Sequence, residues 1–248
     1  LWDELADFDA GEMEAALTHF LTGVSALIGA TNATWVGLVR VGDSDDVCFG
    51  WRPRVMRLLH PAPPIEESMK RGRQRLQRGQ VDVSTQEAMR SGGEFRALRL
   101  CDVTPPEWFE SSFYEHYYRS QGNHDGVFVY FPINSQAESS IGLFRGEDSP
   151  RFSELEREQL AYALRGIKWF HRRLLLGHGL LLAHSPLTPT ERKVLHELLQ
   201  GDAEKTIAAR LGQTYNGTHE HVANIYRKYG INSRSELMAI WLGKQLER

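Results

Sequence analysis

The chain has 248 residues, a length that holds one large domain or two small ones. Its 41% apolar and 25% charged residues exclude general disorder, a collagen and a coiled-coil rod. The net charge of −3 rules out a polycation, and two cysteines, Cys48 and Cys101, cannot build a disulfide framework. The longest mainly apolar run, Leu174 to Ala183, is broken by Gly177-His178-Gly179 and falls short of the ~20 residues a membrane helix needs. The acidic start Leu1-Trp2-Asp3-Glu4 is not the basic region of a signal peptide, and without a Met it leaves room for a missing native N-terminus. A cytoplasmic protein away from the membrane is expected.

In chain order, Met13, Leu17, Phe20, Leu21, Val24 and Ile28 recur at helical spacing, with Asp9 as a candidate cap and Gly29 as the stop. Thr34–Val41 reads as a strand, 42–46 as a turn and Val47–Arg52 as the returning strand, which Pro53 weakens or ends. A further short strand is possible over Arg54–Leu59. A loop over 61–64 leads to a basic helix over 65–78 and a shorter helix over Ser84–Arg90. Pro105-Pro106 opens an aromatic-rich helix over Glu107–Arg119, and Gly126–Ile133 and Ser140–Arg145 are two strands joined by a polar turn. Short connections between neighbouring strands imply an antiparallel sheet with helices packed on it, an α/β sandwich that resembles GAF and PAS domains at the level of fold. The expected class is α+β, with residues 1–184 as a sensor or dimerisation domain.

That domain is expected to end in one long helix over 153–183. Ser153 and Glu156 form a capping box, and Leu160, Ile167, Leu174 and Leu181 recur every seven residues. Such a stripe either packs on the domain's own sheet or pairs with a second copy; the homodimer is the expectation, with those four residues as its seam. Ser185-Pro186 reads as a linker.

From Leu187 onward the charge turns to +2, against −5 for the remainder. Thr188, Pro189 and Glu191 give a capping box with proline at the first helical position, and Val194, Leu195, Leu198 and Leu199 an apolar face. Glu204–Leu211 is a short second helix closed by Gly212. Thr214 caps a third helix reaching Tyr229, with Val222, Ile225, Tyr226 and Tyr229 inward, and Ser233 with Glu236 opens a fourth. Two short helices joined by a glycine-containing turn make a helix-turn-helix arrangement.

These residues, with Ile207-Ala208, Leu211-Gly212, Tyr226-Arg227-Lys228-Tyr229-Gly230-Ile231 and Ser233-Arg234, resemble the LuxR-type helix-turn-helix of bacterial transcription regulators over 187–248. The resemblance implies an all-α four-helix module, a third helix in the major groove of double-stranded DNA, and a dimer on a two-fold site. The family's usual Thr-Val-Lys at the recognition helix reads Gly217-Thr218-His219 here, and its Ser-Asn-Lys reads Ala203-Glu204-Lys205, so a cap and cationic character are lost. The expected DNA-contacting residues are Lys205, Thr214, Tyr215, Asn216, Thr218, His219, Glu220, Ala223, Arg227 and Lys228. Asn216 suits adenine, His219 a guanine acceptor and Glu220 the cytosine amino group; Lys205, Thr214, Arg227 and Lys228 suit phosphates. The competing reading is a degenerate module kept for protein contacts, as in an anti-activator.

For the N-terminal domain a small-molecule effector is expected. Trp35, Trp108, Phe113, Tyr114, Tyr117, Asp125, Phe128 and Tyr130 are candidate pocket residues; the bland alternative is an ordinary core helix with Tyr and His at its rim. An acyl-homoserine lactone is not supported. The Trp-to-Tyr spacing of four found in that subset of the family is absent, since Ser112, Val39 and Val55 follow Trp108, Trp35 and Trp51. No metal, cofactor or enzymatic site is expected: His219 and His221 do not share a helix face, and no phosphate-binding glycine loop or nucleophile motif occurs.

Overall fold

The computed structural model describes residues 1–41, 45–61, 81–181 and 185–242. The loop over 61–64 and the helix over 65–78 therefore lie almost wholly outside the described residues, as do part of the 42–46 turn, residues 182–184 and the chain after 242. The described chain gathers into two compact units, one of Leu1–Phe20 with Trp169–Arg248, the other Leu21–Lys168. This packing division differs from a single cut near residue 185, because the first twenty residues join the C-terminal helices.

In the unit Leu21–Lys168, the described strands are β1 (Asn32–Arg40), β2 (Trp51–Leu58), β3 (Arg96–Arg99), β4 (Asp125–Asn134) and β5 (Ala137–Arg145). They form one sheet in the order β2-β1-β5-β4-β3, every neighbour antiparallel, as the short turns imply. Pro53 does not end β2. The ladder shifts register between Gly37 and Leu38, and Pro53 pairs opposite Leu38 on an edge strand, where a bulge tolerates a residue without an N–H. The strand also starts later than expected. Asp46 accepts hydrogen bonds from the N–H of Cys48 (2.7 Å) and of Gly50 (3.1 Å) and holds 46–50 as a turn. The carboxyl of Asp46 is held down at about 2, chiefly by the Arg52 guanidinium 2.6 Å away.

Register sorts the side chains. Trp35, Ile141, Val129 and Ala97 stand in one row across the sheet, and Ala33, Leu143 and Val127 in the next on the same face; all are buried. Val36, Ser140, Tyr130 and Arg96 stand on the opposite face, beside Thr34, Gly142, Phe128 and Leu98. On that second face Glu138 is wholly buried and takes both Arg96 nitrogens, at 2.7 and 3.1 Å, while the Arg96 guanidinium lies 4.0 Å over the Tyr130 ring. Such a bidentate, fully bonded pair is the form in which buried charge is tolerated.

The helices of the chain begin with α1 (Trp2–Asp7) and α2 (Met13–Ile28), and α3 (Val83–Arg90) and α4 (Leu100–Val103) flank β3. The aromatic-rich helix expected over 107–119 is three short pieces: a 3-10 turn at Pro106–Glu110, α5 (Ser112–Tyr117) capped by Ser111, and a 3-10 turn at Arg119–Gln121. The long helix expected over 153–183 is also corrected. It is α6 (Glu154–Leu164) and α7 (Lys168–Gly177), broken at Gly166, the residue of lowest helix propensity after proline. The Ser153–Glu156 capping box is present at its start.

In the other unit, α8 (Pro189–Leu199), α9 (Glu204–Leu211), α10 (Tyr215–Tyr229) and α11 (Arg234–Trp241) surround Leu195, Leu198, Ile207, Val222, Ile225, Tyr229, Leu237 and Ile240. Leu176 of α7 belongs to the same core, Leu181 and Ala10 pack against it, and the Tyr229 hydroxyl donates to the Leu176 carbonyl. No described helix is long and apolar enough to cross a membrane.

Candidate nucleic-acid interface

The turn between α9 and α10 is set by local chemistry. Gly212 closes α9 at φ 63°, a conformation a Cβ would strain, and its N–H bonds the Ala209 carbonyl. Thr214 starts α10 by accepting the Gly217 N–H at 3.1 Å. Ala203, at the start of α9, makes no side-chain cap, as its departure from the family's serine implies. The entry to α8 carries the expected box: Glu191 Oε2 accepts the Thr188 N–H at 2.7 Å and Thr188 Oγ1 the Glu191 N–H at 3.2 Å.

Helix α10 presents two rows. Thr218, Val222, Ile225 and Tyr229, spaced four, three and four apart, are all buried. Tyr215, Asn216, His219, Glu220, Ala223 and Arg227 are exposed, and Thr214 and Lys205 are exposed beside them. Thr218 is thus corrected as a DNA contact: it completes the inner row and donates from Oγ1 to Gln213 Oε1 at 3.0 Å. Lys228 is corrected as a free phosphate ligand. Its Nζ sits 2.7 Å from Glu191 Oε2 and 3.0 Å from the Pro186 carbonyl, tying the end of α10 to the start of α8. Burial alone would push the Glu191 carboxyl up; Lys228 and the Thr188 donors overcome it and hold the group below the usual range.

The outer row carries mixed charge. Arg227 bonds Asn224, and Arg210 of α9 is spent on Glu197 and Asp202. His219 Nδ1 lies 2.8 Å from Glu204 Oε2, and the Tyr215 ring stacks beside the imidazole at 6.2 Å. The partnership of Glu204 with His219 spans fifteen residues and has no local signature in the sequence.

The candidate effector residues are brought together in part. Trp108 packs against Phe113, Tyr114, Phe109 and Tyr118, with Leu100, Val83 and Phe128 in the same cluster, and Tyr117 lies against Phe113 at 4.5 Å. Tyr130 joins Phe128 through the neighbouring cluster with Leu38, Trp51 and Met89. Trp35 and Asp125 are corrected as members of this group. Strand alternation puts them on the face opposite Phe128 and Tyr130. There Trp35 Nε1 donates to Ser139 Oγ at 2.7 Å, and Asp125, its carboxyl pushed up by burial, accepts the Phe152 N–H at 2.7 Å. The polar partner of the aromatic cluster is instead Asp82, which caps α3 and accepts the Trp108 indole N–H at 2.9 Å. Asp82 lies between the helices expected over 65–78 and Ser84–Arg90, and its link to Trp108 across 26 residues has no local signature.

The four residues of the expected dimer seam do not face solvent together. Leu160 is buried before the Gly166 break and Ile167 and Leu174 after it, while Leu181 is half-buried against the C-terminal core. The large apolar side chains that α6 exposes are Leu155 and Tyr162.

Residues 185–241 match the family described as bacterial regulatory proteins, luxR family. Over 52 residues the chain is 46% identical to the transcriptional regulatory protein UhpA of Escherichia coli K12, and equally to that of Salmonella typhimurium LT2. The match takes in 21% of this chain and 26% of each relative, so the chain spans about a quarter of the length of the curated relatives it matches. Among solved structures, SdiA in complex with octanoyl-rac-glycerol aligns at 14% identity and a TM-score of 0.46, over 95% of this chain and 89% of that one. Escherichia coli SdiA in space group P6522 aligns at 16% identity and 0.46 over 98% and 95%, and the VqsR ligand-binding domain of Pseudomonas aeruginosa at 15% and 0.45 over 71% and 96%. The capped four-helix geometry and the family match agree on one span, and residues 185–241 are a helix-turn-helix domain of the LuxR family.

Proposed function

We propose that the chain is a transcription regulator that binds two-fold operator DNA through α10, works as a cytoplasmic homodimer, and takes a small-molecule or partner signal at residues N-terminal to the LuxR-family module. The observation that carries this reading is the outer row of α10. A 15-residue helix holds its inner row in a packed core and leaves Tyr215, Asn216, His219, Glu220, Ala223 and Arg227 open along about 20 Å, a length suited to a major groove. Dimerisation is inferred from the shortness of the stretch one such helix reads, which a two-fold site doubles. The supporting feature for an effector is the sheet face where Val36, Leu98 and Phe128 remain half-buried beside the Trp108 cluster. The functional division proposed is 1–184 for sensing and pairing and 187–248 for DNA, although the first twenty residues pack with the C-terminal helices.

A second reading, an interaction protein that has lost DNA binding, is favoured by Glu204 and Glu220 on the outer surface and by the engagement of Lys228 with Glu191. Selection on random duplex DNA at low salt separates the two. Enrichment of a two-fold sequence supports the regulator; no sequence-selective enrichment at any ionic strength overturns it. Native mass spectrometry of the purified chain tests the effector, with a non-covalent adduct as the expected result.

A further inference from the structure

The row proposed to read DNA contains a histidine that is already hydrogen-bonded. Glu204, the first residue of α9, places Oε2 2.8 Å from His219 Nδ1 on α10. A carboxylate oxygen only accepts, so Nδ1 carries the hydrogen of that bond. A singly protonated imidazole so held presents a bare lone pair at Nε2. The Tyr215 ring, one turn earlier on α10, lies nearly parallel to the imidazole at 19° and braces it from the side. The His219 side chain is 63% exposed, so its second nitrogen lies on the outer row while the first is engaged with α9.

We infer that Glu204 is a positioning residue that fixes the tautomer of His219, so that Nε2 accepts from an exocyclic amino group of adenine or cytosine in the major groove. This inference rests on the proposed DNA binding. In that groove the adenine N6 and cytosine N4 amines are the donors, whereas guanine O6 and N7, adenine N7 and thymine O4 are acceptors. Two facing acceptors repel, so the guanine contact first expected of His219 is disfavoured as long as Glu204 holds Nδ1–H. Specificity at that base pair is then written by a residue on a helix other than the reading helix.

The test is sequence selection with the full chain at pH 8. The base pair read by His219 is the one whose preference vanishes in His219→Ala. Wild type should depend there on the exocyclic amine of the pair, carried by the adenine of A·T or the cytosine of G·C. Replacing the selected adenine by purine, or the selected cytosine by a pyrimidone that lacks the 4-amino group, should cost about tenfold in affinity for wild type and little for His219→Ala. Glu204→Gln, whose carbonyl still accepts, should keep the preference. Glu204→Lys can only donate, which turns Nε2 into a donor and should abolish the dependence on that amine, with thermal melting to confirm that the variant is folded. A wild type indifferent to removal of that amine, or an unchanged amine dependence in folded Glu204→Lys, overturns the inference while leaving DNA binding intact. If Glu204→Lys does not fold, the loss or persistence of the amino-group dependence decides. A wild-type chain that enriches no sequence defeats the DNA-binding reading and this inference together.

Discussion

The helix-turn-helix and the sheet unit differ in how their structure is encoded. In the module, nearly every boundary is set within four residues by a cap or a glycine: Thr188 with Glu191, Gly212, Thr214, and Ser233 with Glu236. In the sheet unit the decisive contacts span long stretches of chain. Glu138 meets Arg96 over 42 residues, Trp108 meets Asp82 over 26, and Trp35 meets Ser139 over 104. Local chemistry is readable residue by residue; register and long-range polar pairing are not.

The comparison breaks most visibly at the seam between the two kinds of encoding. Ile167→Asp with Leu174→Asp places two charges at buried positions, one in each unit. The expected outcome is loss of the folded state in circular dichroism, since an unpaired buried charge costs several kcal/mol. A folded monomer from that variant would restore the dimer seam. Next in size, Arg96→Ala leaves Glu138 buried without its guanidinium. It should lower stability by about 3–5 kcal/mol in a denaturant titration, while changes on the exposed row of α10 leave stability almost unmoved.

Acid should act on the two units through different groups. His171, wholly buried beside Phe20 and Phe170, is pushed down to about 3 by burial, so the folded state holds it neutral. Its contribution is present above pH 6.5 and is lost as pH falls from there towards 3, because the unfolded chain takes up the proton first. In the sheet unit Glu156 is held at about 2, chiefly by the Arg145 guanidinium 2.6 Å away. That contribution, up to about 3 kcal/mol, is present above about pH 4.5 and lost as pH falls towards 2. Stability measured against pH should therefore show an earlier loss that His171→Phe removes and a later one that Glu156→Gln removes. A smaller effect is expected at Tyr229→Phe, which removes one of two donors to the Leu176 carbonyl, the Gly179 N–H remaining at 2.8 Å, and should cost about 1 kcal/mol in thermal melting.

The same contrast explains what could be read beforehand. The four helices of the module, their caps and most of the outer row were legible because 3.6-residue periodicity and capping are local. Thr218 was misplaced although its spacing of four, three and four with Val222, Ile225 and Tyr229 marks the inner row, because the family's contact pattern outweighed the periodicity. The antiparallel sheet was legible from alternating strands and short turns. β3 was not, since Arg-Ala-Leu-Arg has too few residues to show alternation and gains its strand character from pairing with β4. The seven-residue stripe pointed to a continuous helix because Ile167 kept the period; Gly166 before it cut the helix and turned that residue inward.

The central claim is that the exposed row of α10 is the DNA-reading surface, distinct from the row that folds it. Fluorescence anisotropy of a selected duplex, titrated with salt for Arg227→Ala and Lys228→Ala, tests it most directly. Arg227→Ala should weaken binding and lower the slope of log affinity against log salt by about one without shifting the melting temperature. Lys228→Ala, freed from Glu191, should lower the melting temperature and leave the slope nearly unchanged. An unaltered slope in Arg227→Ala, or a slope change confined to Lys228→Ala, would contradict the assignment.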